Sequence, residues 1–355
     1  MNSIKIAFIS AVGLWHTGVA AHSTVSELAE LSLQELLEIR VDTPQTDQDA
    51  TEDSQRWNFS LGWYSQRLDG YRRGTTDFTI NEVLFESGEQ RVYHNFPVVP
   101  TVIEQDVFTA SLSYRYSRRS TLSLTVPFVR QATDHVSSVA SYEQFMLGTD
   151  GIGDVGVSWR NNFYKDDICQ FSIGVGLSLP TGSIDEQGDT PREPGNQQLP
   201  YTMQLGSGTY DVKIGMGMSW YLGKWTWVSD FGYVHRTNKN DRDYRLGNRF
   251  LLGTEMRTAV NKYITAGLGV EYQHSGDING LDTEITVPGP FPYPASITDP
   301  GNFGGQLVRA NGSLTLKLTA RQSAVITYGS PVYQDLNGIQ PKARGRVSAS
   351  WSISF

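Results

Sequence analysis

Six histidines and one cysteine limit the side-chain chemistry open to this 355-residue sequence. His16, His22, His94, His135, His235 and His274 fall at no spacing that would let two of them hold one metal ion. Cys169 stands alone, which excludes an intrachain disulfide and a thiolate cluster. A serine nucleophile needs a base within reach. His135-Val136-Ser137 and His274-Ser275 supply the residue types, but short polar stretches produce such pairs by chance. Gly148-Thr149-Asp150-Gly151-Ile152-Gly153-Asp154 has the glycine of a phosphate loop without the following lysine, and its aspartates would repel phosphate. It reads instead as an entry into a strand, where glycine permits a sharp turn. Asp185, Glu186, Asp189 and Glu193 form a solvated face before they form a Ca²⁺ site. The expectation is no catalysis, no cofactor and no metal.

The remaining candidates are charges, and their meaning depends on which way they face. From Trp57 onward the hydrophobic period is two. Phe171, Ile173, Val175, Leu177 and Leu179 share one face, with Ser172, Gly174, Gly176 and Ser178 on the other. Leu122 to Phe128, Val212 to Trp220, Ile264 to Tyr272 and Val347 to Phe355 repeat the pattern. Out of phase with these apolar rows stand eleven bases: Arg115, Arg160, Lys213, Lys224, Arg236, Arg245, Arg249, Arg257, Arg309, Lys317 and Arg346. Five acids share that phase: Asp154, Asp211, Asp230, Glu255 and Glu271. The polar face thus carries six surplus positive charges in a chain of formal charge −8, so the excess acid lies elsewhere. In a narrow pore such a surplus favours anions. Equally, the charges can pair across the interior and only fill it.

The strands carrying these faces run about 10–14 residues, long enough to cross a bilayer when tilted. No charge interrupts the central apolar positions, where lipid would penalise it. Connections alternate between short ones, near 118–119, 165–167, 222–224, 260–261 and 320–321, and long ones at about 131–152, 181–207, 237–244, 275–305 and 331–344. Short periplasmic turns opposite long outer loops are the asymmetry of a bacterial outer-membrane barrel. With Gly 35, Tyr 17 and Trp 8, the reading is all-β: a transmembrane antiparallel up-and-down β-barrel over 57–355, closing on Phe355. Counting back from Phe355 gives twelve strands, or fourteen if 75–96 adds a hairpin to the wall.

The first 21 residues read as an export signal: Lys5, a short apolar core from Ile6 to Trp15, then Val19-Ala20-Ala21 for cleavage. Residues 22–56 read as a short periplasmic helix followed by an acidic linker. Leu28, Leu36 and Ile39 near one face of that helix are candidates for a gate.

Four segments stand in order: Leu124-Thr125-Val126-Pro127-Phe128-Val129, Gly151-Ile152-Gly153-Asp154-Val155, Leu179-Pro180-Thr181-Gly182-Ser183 and Leu205-Gly206-Ser207-Gly208. With the terminal phenylalanine they resemble the outer-membrane transporter family labelled "putative MetA-pathway of phenol degradation", to which functional-amyloid secretion channels are similar. The resemblance implies a twelve-stranded conduit for small aromatic compounds or exported polypeptide. The expectation is therefore an outer-membrane channel for small, aromatic or anionic solutes or polypeptide, with a basic lumen gated by the N-terminal helix or the outer loops. The alternative is a closed structural or adhesive barrel that presents long loops. Expected partners are outer-membrane lipid, the barrel assembly machinery, the cargo and further copies of the chain. A formal charge of −8 offers nothing to nucleic acid.

Overall fold

Within lipid a sheet must leave no edge, because nothing there can satisfy unpaired N–H and C=O groups. The computed structural model describes residues 55–355, apart from Ser87 and Pro194, and their strands pair antiparallel in one closed circuit. The export signal and the gate candidates Leu28, Leu36 and Ile39 lie outside the described residues, as does all but the end of the N-terminal segment.

The wall runs through Trp57–Gly74, Val98–Arg115, Ser120–Ser137, a stave in two halves (Gln144–Ile152 and Val155–Lys165), Cys169–Leu179 and Asp211–Leu222. It continues through Trp225–Arg236, Arg249–Ala259, Ile264–Ser275, Gly305–Lys317 and Gln322–Ser354. These are eleven units, and the last doubles back. Its first half pairs with Gly305–Lys317 and its second with Trp57–Gly74. The Ser323 and Ser352 hydroxyls meet at 2.9 Å across it, and Gly338 turns it with φ +48°. The circuit therefore has twelve staves. Asn58↔Ser354 closes it, with the Trp57 N–H donating to the Phe355 carbonyl at 3.0 Å and the Phe355 N–H returning the bond at 2.9 Å.

The segment 75–96 adds nothing to the wall. Thr76–Phe78 folds back on Trp57–Gly74, and Thr79 caps a one-turn helix, Ile80–Val83, in a box with Glu82. Val83 is buried there with Tyr71, Phe96, Val99 and Ile339. The twelve-stave count stands and the fourteen-stave option does not.

Low staves such as Cys169–Leu179 and Trp225–Arg236 have 11 and 12 residues. At about 3.3 Å per residue and a tilt of about 40°, such a stave spans roughly 30 Å of bilayer. Trp57–Gly74, Val98–Arg115 and Ser120–Ser137 have 18 residues each and rise above the others as a collar. The expected long loops at 131–152 and 331–344 are mostly strand. Val136 pairs with Gln144, leaving only a short turn, and Gln322–Ser354 is continuous. The alternation inverts at the outer rim. Leu122, Leu124 and Phe128 point to lipid, but Arg130 and Asp134 follow on the same outward face, while Val129 and Thr133 are buried inside. Above the bilayer the outer surface meets water, so the polar residues move outside and the apolar ones inside.

Polar groups left on the lipid face satisfy one another. Trp227 Nε1 donates to Thr254 Oγ1 at 2.6 Å, and Ser229 shares that hydroxyl at 3.1 Å. A charge at mid-face has no such recourse. Leu268 is 76% exposed in the outward row of Ile264–Ser275, so Leu268→Arg should cost about 2–4 kcal/mol. Met146→Arg on the collar's wet face, opposite Asp134, should stay within about 0.5 kcal/mol. Urea unfolding from lipid vesicles measures both.

Candidate functional site: the lumen and the loops folded into it

Strand alternation delivers the inward residues as a lattice of short-range pairs. Glu271 is shared by two guanidinium groups: Arg309 Nη1 donates to its Oε1 at 3.1 Å and Arg346 Nη2 to its Oε2 at 2.7 Å. Arg309 also donates to Gln273 Oε1 at 3.1 Å. All three charged side chains are at most 3% exposed, and Tyr64 beside them is fully buried, its hydroxyl on Gln66. Out of water a carboxylate between two arginines gains strongly from Coulomb attraction, which offsets the loss of hydration. Lower down, Arg257 reaches Glu255 Oε2 through Nε at 3.0 Å and Nη2 at 2.9 Å, and the Ser313 hydroxyl donates to the other oxygen. Gly267 faces that carboxylate, where any side chain would collide with it. Toward the outer end Arg236 pairs with Asp211, which also accepts from Thr209 Oγ1 at 2.7 Å.

The periplasmic end is lined by hydroxyls. Ser111 bonds Thr125 at 2.7 Å and Ser113 bonds Ser123 at 2.9 Å. The inward residues at this end are small. On the low side Gly174, Gly176, Gly215, Gly217 and Gly232 floor a shallow recess. Arg160, Lys213, Val234 and Leu251 stand at its margins, and Arg160 Nη2 donates to Ser172 Oγ at 3.0 Å.

Of the bases expected in the lumen, Arg236, Arg249, Arg309 and Arg346 are buried, while Arg115, Arg160, Lys213, Arg257 and Lys317 are half-buried inward residues. Arg115 Nη2 donates to the Gln55 carbonyl at 2.7 Å. Two expectations are corrected. The wall strand begins at Arg249, so Arg245 sits above it in a loop pair with Asn279–Gly280 and donates to the Arg236 carbonyl at 3.0 Å. Leu246, Gly247 and Asn248 carry no strand pairing and break the pattern that seemed to continue through them. Lys224 lies in a tight turn with its ammonium 5.7 Å over the Trp225 ring, not in the lumen.

Above this lattice the loops 180–210, 237–248 and 276–304 turn inward. Tyr201, Leu205, Tyr244, Leu246, Ile278, Ile285, Ile297 and Phe303 form one buried cluster with the wall residues Tyr64, Leu68, Ile103, Val107 and Val129. Tyr201 packs edge-on against Tyr244 at 4.7 Å and Phe303 at 5.5 Å, and its hydroxyl accepts from the Asp282 N–H at 3.0 Å. Wall side chains hold the loop backbones: Gln131 Nε2 donates to the Gln204 carbonyl at 2.9 Å and Thr149 Oγ1 to the Met203 carbonyl at 2.8 Å. Arg242 binds Asp185 at 2.7 Å, Glu284 at 3.0 Å and Asp282 at 3.3 Å, joining all three loops. Burial pushes the Asp282 and Asp299 carboxyls above the usual carboxylate range, opposed at Asp282 by Arg242.

These loop residues escaped the sequence reading, although Ile285, Ala295, Ile297 and Phe303 are more apolar than a solvated loop requires. The Pro-rich run 288–294 lies at the top, where Arg91 sits 5.2 Å over the Phe291 ring and donates to the Tyr293 carbonyl at 3.1 Å. In the first of the Ser–His pairs both side chains are engaged otherwise. His135 stacks on Phe145 at 4.6 Å, and Ser137 Oγ accepts from the Val139 N–H in its own turn.

A family profile described as "Putative MetA-pathway of phenol degradation" matches residues 94–302. An outer-membrane channel from Pseudomonas putida F1 superposes with a TM-score of 0.54 at 14% identity, over 84% of this chain and 96% of that one, which shows a common fold. A mutant monoaromatic hydrocarbon channel, TodX, gives 0.44 at 10% identity over 84% and 90%. The translocator domain of the autotransporter NalP from Neisseria meningitidis gives 0.45 at 10% over 94% and 98%. Both scores are too low to bear on function. No curated protein sequence matches.

Removing the shared carboxylate should strand two buried cations. Glu271→Gln is expected to destabilise the barrel by about 3–5 kcal/mol in urea unfolding. Adding Arg309→Met and Arg346→Met should recover most of that loss. A loss below about 1 kcal/mol for Glu271→Gln would mean that the charges are hydrated and the lattice is loose.

Proposed function

The chain belongs to the family described as "Putative MetA-pathway of phenol degradation", and on that premise we propose that it passes small solutes across the outer membrane through a lumen closed at its outer end by its own loops. A closed β-barrel with an apolar outer band is at home in the bacterial outer membrane. The observation that carries the reading is the change of lining along the axis. A hydroxyl-lined end with Arg115 and Lys317 gives way to the Glu271 lattice and then to the apolar cluster of the inturned loops. A plug of loop residues, held by packing, side-chain hydrogen bonds and ion pairs rather than by the strand ladder, can leave while the wall stays intact. The inward bases favour anionic solutes, and the glycine-floored recess leaves the wall bare of side chains beside them.

One observation favours the rival reading of a closed, loop-presenting barrel. Arg249 and Arg309 are each only 2% exposed, so little water reaches that level of the wall.

Planar-bilayer conductance of the refolded protein separates the two. The full chain should conduct little, deletion of 284–297 should give larger steps, and a KCl gradient should show chloride preferred over potassium. Arg115→Ala with Lys317→Ala should reduce that preference. The same measurement with residues 22–54 removed tests a gate at Leu28, Leu36 and Ile39. If the barrel stays silent without 284–297 and also without 186–203, although it is folded, the loops are not the gate and the closed-barrel reading takes over.

A further inference from the structure

Three sequence segments distant in the chain meet at one carboxylate. Asp154 lies where the stave between Ile152 and Val155 breaks and strand pairing lapses. Its Oδ1 accepts from the Gly182 N–H at 2.9 Å. Its Oδ2 accepts from the Ser207 N–H at 2.9 Å and from Ser207 Oγ at 2.6 Å. Thr181 bridges the break itself: its hydroxyl donates to the Gly153 carbonyl at 2.8 Å and accepts from the Val155 N–H at 2.9 Å.

Gly182 and Ser207 belong to opposite ends of the loop that carries Leu199, Tyr201 and Met203 into the lumen. The two ends are also tied to each other, the Leu205 and Gly206 N–H groups both donating to the Ser183 carbonyl at 2.9 and 3.0 Å. Their backbones touch so closely that a Cβ on Gly182 would lie 2.6 Å from the Leu205 carbonyl oxygen and 2.7 Å from Gly206 Cα. The loop is thus gathered into a neck, and one carboxylate on the wall accepts three hydrogen bonds from it. Hydrogen bonds to a charged acceptor are about twice as strong as neutral ones, and three of them converge on Asp154.

We propose that Asp154 is the latch of the outer plug: its carboxylate holds the neck of the 180–210 loop against the wall, and without that charge the loop loosens as a unit. The loop ends are bonded to each other, so a change at Asp154 acts on both sides of the neck together, and the bonds from Gln131 to Gln204 and from Thr149 to Met203 are left to hold the loop. This deepens the loop-gate reading given above and rests on it for the functional consequence, though not for the geometry.

Amide hydrogen exchange read by mass spectrometry, on the full chain in lipid vesicles, tests the latch directly. Asp154→Asn keeps the shape and removes the charge, and exchange across 199–207 should accelerate on the order of ten-fold. Ser207→Ala keeps the charge and removes one donor, and should accelerate it on the order of three-fold. Asp150→Asn, on the wet outer face of the collar, should leave the loop at the wild-type rate. Heat-modifiable migration in SDS gels shows that each barrel is folded, and Ser207→Ala decides if Asp154→Asn is not. Wild-type exchange in every folded latch variant overturns the proposal. Conductance of the same samples separates it from the channel reading. Faster exchange with rising conductance supports both, whereas faster exchange in a silent barrel upholds the latch and removes the gate.

Discussion

The structure depends on the solvent that each strand face must meet, and that solvent changes along the strand. In the hydrocarbon layer every outward side chain must be apolar or satisfied by a neighbour, and the polar set is forced inward. Above the outer rim the outside is water, and the same strands carry Arg130 and Asp134 outward with Val129 and Thr133 inward. The collar built by the tall staves is therefore lined with apolar surface that water would leave exposed. The inturned loops cover it, and Tyr201, Ile297 and Phe303 pack against Leu68, Ile103 and Val129 for that reason. Burying these side chains favours the closed arrangement by about 25 cal/mol for each Å² of apolar surface removed from water.

The polar set forced inward has its own requirement. A guanidinium pressed into a narrow lumen needs an acceptor, and Glu271, Glu255 and Asp211 each serve a basic partner. Part of the inward charge is thereby spent on holding the wall together. On the proposed channel reading, selectivity falls to the inward bases that are only half-buried, Arg115, Arg160, Lys213 and Lys317 among them. Glycines set how close partners come: Gly267 makes way for Glu255, and the run through Gly174, Gly215 and Gly232 hollows the opposite wall.

The barrel was legible in the sequence because the lipid-facing rows repeat without a charge, as from Leu122 to Phe128 and from Ile264 to Tyr272. The height of the wall was not. At Arg130 the alternation continues in structure but reverses in chemistry, and a pattern read for apolar-out residues stops there and reports a loop. The same reading ran a strand backward through Asn248 and Gly247 and so placed Arg245 in the lumen. The segments containing Asp154, Gly182 and Ser207 were recognisable as an ordered set, but their order gives no hint that they converge. Convergence depends on the path of a long loop, which no local spacing encodes.

The central claim is a lumen open toward the periplasmic end and sealed at the outer end by the folded-in loops. The most direct test uses a membrane-impermeant, charged thiol reagent on barrels of known orientation in vesicles. The target is Ser123→Cys on the hydroxyl-lined inner wall, with Cys169, the one cysteine of the chain, replaced by serine. The account predicts rapid labelling from the periplasmic face and slow labelling from the outer face. Equal rates from both faces would contradict it, because the loops would then seal nothing.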